Sequence, residues 1–114
     1  METLAHERDK MSIQEIESLK IGAIKYQVKY RPPQNVDKGT LVGQIDYNEG
    51  VIYIADNAPD GVNMDTLIHE ILHGMYHHAG VKQPKERDIE SLTTMLTLVL
   101  QDNPKLIEAI QKLK

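Results

Sequence analysis

The chain has no cysteine, no phenylalanine and no tryptophan among its 114 residues. Without cysteine there is neither a disulfide framework nor a thiolate metal site. Without the two largest apolar aromatics, the core has to be assembled from Leu, Ile, Val and Met with a few of the 5 tyrosines. Positive charge is also in short supply. The 13 Lys and Arg are outnumbered by 17 Asp and Glu, a net charge of −4 that argues against a nucleic-acid partner. No apolar run approaches the ~18 residues of a membrane span. Met1 to Lys10 is too polar and too acidic to act as a secretory signal. These absences point to a cytoplasmic protein with no membrane partner. The length allows one domain with a modest core, so residues 1–11 read as a flexible leader and 12–114 as a single domain.

What the chain does have is His69-Glu70-Ile71-Leu72-His73, inside an apolar helical run from about Met64 to Ala79. Histidines four apart project from one helix face, one turn above the other. That separation lets two imidazoles bind one tetrahedral Zn²⁺ and leave positions on it open. Glu70 lies beside His69 around the helix, placed to reach a metal-bound water without ligating the ion. Two ligands and a general base make the H-E-x-x-H arrangement of metallopeptidases. The bland alternative is a helix carrying two solvated histidines.

The rest of the chain frames that helix. Ser12-Ile13-Gln14-Glu15 has the form of a capping box and predicts a short helix with Ile13, Ile16 and Leu19 at helical spacing. From Ile24 the period becomes two. Ile24, Tyr26, Val28 and Tyr30 alternate with polar and basic residues, a strand with one apolar face that ends at Pro32-Pro33. Gln34 to Gly39 reads as a polar loop. Leu41 to Tyr47 and Val51 to Ala55 flank Asn48-Glu49-Gly50, the pattern of a β-hairpin. Asn63 or Asp65 is the expected cap of the metal helix, Gly80 its C-terminal stop, and Pro84 the first turn of a second helix. In that second helix Ile89, Leu92, Met95, Leu96 and Val99 form the expected buried stripe. Asn103-Pro104 opens a third, with Leu106, Ile107, Ile110 and Leu113 inward. Strands first and helices after give an α+β class, with a three-stranded, mostly antiparallel sheet on the metal helix and one or two C-terminal helices.

A third protein ligand is expected, with water in the fourth position. His77 is eight residues beyond His69, a rise of roughly 12 Å on a continuous helix, so it cannot share the ion. His6 lies in the leader. That leaves a carboxylate from the second helix, Glu86, Asp88 or Glu90, of which Asp88 has the shorter side chain. Glu90 is the choice from sequence, because it sits beyond the frayed first turn. Tyr76, seven residues from His69, and His77 are candidates to contact substrate or a developing oxyanion.

The segment Leu67 to His73, preceded by a strand hairpin and followed by a Glu-bearing helix, resembles a minimal gluzincin domain. It is similar to small phage and prophage HExxH proteins related to the ImmA/IrrE-type metallopeptidases, over roughly residues 21–110. The resemblance implies a zincin-like fold, zinc as cofactor, a Glu third ligand and a site against the edge strand that precedes the motif helix. The expected activity is zinc-dependent hydrolysis of a peptide bond, with a protein or peptide as substrate and a place in phage or prophage regulation. In that mechanism Glu70 takes a proton from a zinc-bound water whose pKa falls towards ~7. The competing reading is a non-catalytic, zinc-stabilised phage-type module that binds a host protein, since a small domain gains much stability from a metal. A three-histidine metal-dependent endoribonuclease is the remote third, because no histidine follows at the spacing it needs.

Overall fold

The computed structural model describes residues 12–36, 39–82 and 84–113, and the predicted leader, residues 1–11, lies outside them. Among the described residues, six strands, one 3₁₀ turn and three α-helices follow one another in an α+β order. A four-stranded sheet forms from β1 (Ser18–Ile21), β2 (Ile24–Arg31), β6 (Val51–Ala55) and β5 (Gly43–Asp46), in the spatial order β1-β2-β6-β5. The β1–β2 and β5–β6 pairs are antiparallel, whereas β2 and β6 run parallel. The sheet is therefore mixed and one strand larger than the sequence pattern predicts. A separate two-stranded ribbon, β3 (Gln34–Val36) with β4 (Gly39–Leu41), occupies the stretch read as a polar loop.

The extra strand is β1. The capping box at Ser12 and Glu15 does form, but it caps only the 3₁₀ turn Ile13–Glu15 before the chain extends. Gly22, at φ 62°, then makes the tight turn that folds β1 back on β2. The 3₁₀ turn is held from the core, because the Tyr30 hydroxyl donates to the carbonyl of Ile13 (2.7 Å) with that of Ile16 at 3.2 Å. Tyr26 and Val28 of β2 are buried as their alternation requires, and they join Ile13, Ile21, Ile52, Ile54 and Leu67 in one apolar cluster. On the opposite face Arg31 stacks over the Tyr53 ring, 3.7 Å from its centroid.

Helix α1 (Asp60–His78) lies across the sheet, and its buried face includes Leu67, Glu70, Leu72 and Gly74. It starts a turn earlier than the apolar run suggests. Neither Asn63 nor Asp65 caps it: Pro59 is the cap residue, and buried Asn63 instead donates to the carbonyls of Ala55 (3.0 Å) and Ala58 (3.2 Å). A Cβ on Gly74 would stand 2.6 Å from Ile21 Cδ1 and 3.1 Å from Ile45 Cδ1, so glycine sets how closely helix and sheet approach. The helix stops as predicted, with Gly80 left-handed at φ 78°.

Helix α2 (Glu86–Asp102) begins two residues after Pro84 and packs on α1 through Ile89, which is 0% exposed, and Thr93. Leu92, Met95 and Val99, read from sequence as buried, are exposed. Helix α3 (Pro104–Gln111) starts at Pro104 as predicted, but it buries no residue, and Leu106, Ile110 and Leu113 are exposed instead of inward. Among the described residues no helix is long and apolar enough to cross a membrane.

Candidate metal centre

The middle of α1 presents His69 and His73 on one face, and their Nε2 atoms lie 3.2 Å apart. Two ring nitrogens turned towards each other at that distance either share a proton or face a common cation. Glu86, the first residue of α2, completes the convergence. One of its carboxylate oxygens touches His69 Nε2, and the other is 3.2 Å from His73 Nε2. The candidate ligand atoms of His69, His73 and Glu86 all lie within 4.8 Å of one another, so this cluster could hold a metal ion.

Two imidazoles and one carboxylate form a donor set of the kind that binds a divalent metal ion. Ligands held ~2.0–2.1 Å from a tetrahedral ion sit about 3.3 Å from one another. The His69–His73 and His73–Glu86 separations, both 3.2 Å, match that edge, whereas Glu86 stands closer than that to His69. Two imidazole nitrogens and one carboxylate oxygen on one side leave the fourth direction free.

Glu86 takes the place that sequence reasoning assigned to Glu90. The connection from Gly80 to Lys85 is short, so the start of α2 falls beside the C-terminal half of α1, and its first turn faces the histidines. Glu90, one turn further along, lines the cleft but does not join the cluster. A helix's first turn looks frayed in sequence, yet here α2 is anchored one turn later by fully buried Ile89. The proline and glycine that bound the connection were the available signal.

Glu70 faces inward beside the cluster and is only 8% exposed. Burial is the main influence on its carboxyl and raises its pKa above the ordinary carboxylate value. His73 and His69 pull it back down, Glu86 pushes it up, and a hydrogen bond from the Ile45 backbone N–H lowers it. That last contact ties the acid to β5, the edge strand of the sheet.

Gly43 explains how β5 comes so close. A Cβ there would collide with the Thr66 methyl group and stand 3.4 Å from a Glu70 carboxylate oxygen. The glycine thus lets the strand pass directly beside the metal helix, a role the sequence did not reveal. The Ala55 N–H bonds to Val42 O at 2.9 Å, which sets the alternation along β5. Val42, Gln44 and Asp46 direct their backbone groups to β6, while Gly43 and Ile45 direct theirs to the open edge. With Ile45 N–H engaged by Glu70, the Gly43 amide and carbonyl and the Ile45 carbonyl remain on that edge.

The cleft between β5, α1 and α2 encloses about 810 Å³ and is lined by Gly43, Ile45, Thr66, Glu70 and the three cluster residues, among others. It continues past His73 into a second hollow of about 490 Å³ bordered by Tyr47, His77 and Lys82. Tyr47 and His77 stack there with centroids 3.8 Å apart and planes at 14°. Tyr47 is therefore part of the cleft wall, together with His77. Tyr76 lines neither hollow. His78 Nε2 meets the Tyr26 hydroxyl at 2.6 Å and, like His77, stands apart from the cluster, as the unbroken helix requires.

Comparison with protein-family models, with curated proteins and with solved structures gives no match.

Proposed function

We propose that this chain is a zinc-dependent peptidase in which His69, His73 and Glu86 hold the ion and Glu70 is the general base. The observation that carries the proposal is the position of Glu70. A cluster that only bound metal for stability would need the two histidines and Glu86, yet a second acidic side chain, Glu70, is buried beside them. A buried carboxyl is costly unless something nearby makes use of it or stabilises it.

Bound zinc would supply a Lewis acid that polarises a carbonyl and acidifies water. Glu70 then accepts a proton from the attacking water and delivers it to the departing amine. The free backbone groups of Gly43 and Ile45 orient an extended peptide along β5 as an added strand, with its scissile carbonyl above the cluster. Tyr47 and His77 form the wall on the far side of His73. The substrate is then an extended segment of a protein or peptide, and the resemblance to phage and prophage HExxH proteins suggests one acting in phage regulation. The test is hydrolysis of a peptide library by zinc-loaded protein, set against the Glu70→Gln variant.

A further inference from the structure

Beyond the cleft, the two C-terminal helices carry an apolar surface of their own. From Ser91 to Gln101, eleven consecutive residues of α2, there is no charged side chain. Only Thr93 in that stretch is buried. A helix that simply faces water carries charged and polar residues on its outer side. Here Leu92, Met95 and Val99 make a second apolar stripe, rotated around the helix from the Ile89–Thr93 face that packs on α1. Leu98 widens it. Helix α3 repeats the pattern: Leu106 and Ile110 share one face, whereas Lys105, Glu108 and Lys112 share the other, with Glu108 and Lys112 paired at 2.9 Å. These six apolar residues are 42% to 58% exposed.

We propose that two copies of this chain associate through the α2–α3 face. Area is the first reason. With about 200 Å² for each such residue when free, the six together with Leu113, 78% exposed, present roughly 700 Å² per chain. A symmetric pair would bury ~1,400 Å², inside the ~1,200–2,000 Å² of stable interfaces. The second reason is charge. Each copy is acidic overall, but the α2 stretch carries none of that charge, so the surface meets itself without repulsion and offers nothing to select a charged partner. A two-fold axis places the same patch on both sides. The third is α3 itself. An eight-residue helix that buries nothing is not stable alone in water, and cover from a second copy supplies the missing packing.

The test is the mass of the full-length chain by sedimentation equilibrium from ~5 to ~200 µM. Twice the 13.0 kDa chain mass is expected at the upper end. Met95→Lys combined with Ile110→Lys should weaken association by at least ~30-fold, as loss of central interface anchors does. Both positions are exposed, so the helix signal in circular dichroism should stay. If it does not, the milder Met95→Thr, Ile110→Thr pair should weaken the dimer in the same direction. Gln101→Lys, on the other side of α2, should leave the dimer intact. A wild-type chain that remains monomeric at ~200 µM overturns the proposal and assigns the face to a partner of different sequence. A dimer that survives the Met95 and Ile110 changes overturns it equally.

Discussion

His73 Nε2 lies 3.2 Å from a carboxylate oxygen of Glu86, although the two residues sit on different helices with Gly80 and Pro84 between them in sequence. The contact makes the candidate metal centre a junction between α1 and α2, beyond a motif on one helix. Metal content should follow that junction. Zinc-loaded protein should hold about one Zn per chain by elemental analysis. Glu86→Ala should weaken zinc at least ~100-fold, a loss no smaller than that of a supporting residue. Glu90→Ala should retain zinc near the wild-type affinity. The reverse ranking by competition with a chelator would contradict the assignment.

Gly43 gives a second prediction. Its replacement by Ala drives a methyl group into Thr66, an overpacking expected to cost about 1–3 kcal/mol in chemical denaturation. Thr66→Ser removes the methyl group that is struck and keeps the hydroxyl that donates to Val62 O. The Gly43→Ala, Thr66→Ser pair should recover part of the loss, and strictly additive losses would show that this contact does not set the strand position.

The third prediction concerns Tyr30. Tyr30→Phe removes the hydroxyl that holds the Ile13 and Ile16 carbonyls, at an expected cost of about 1–2 kcal/mol. Burial, with a smaller push from Asp60, raises this phenol's pKa. A raised value in the folded state means the contribution is complete below the unfolded tyrosine's pKa of about 10 and is lost as pH rises through the higher folded value. The gap between wild type and variant in urea midpoint should therefore narrow above pH ~10. A gap that grew there would contradict the sign.

Sequence pattern revealed some of these features and hid others for physical reasons. Period-two alternation marked β2, and the turn residues at 48–50 marked the β5–β6 hairpin, because both signals are local. The spacing of His69 and His73 fixed their common face for the same reason. Strand β1 was masked by a true capping box whose helix is only one turn long. Glu86 could not be separated from Glu90, because the choice depends on how α2 is placed against α1, which a one-dimensional pattern does not carry. Leu92, Met95 and Val99 were assigned inward since an apolar stripe looks the same whether it meets the chain's own core or faces outward.

The central claim rests on one proton acceptor. Glu70→Gln preserves the shape of the side chain and most of its hydrogen bonding but cannot take the proton. At matched zinc occupancy, hydrolysis of a peptide library should fall at least ~10²-fold while zinc content and melting temperature stay near wild type. Equal product patterns from the two proteins would contradict the peptidase account.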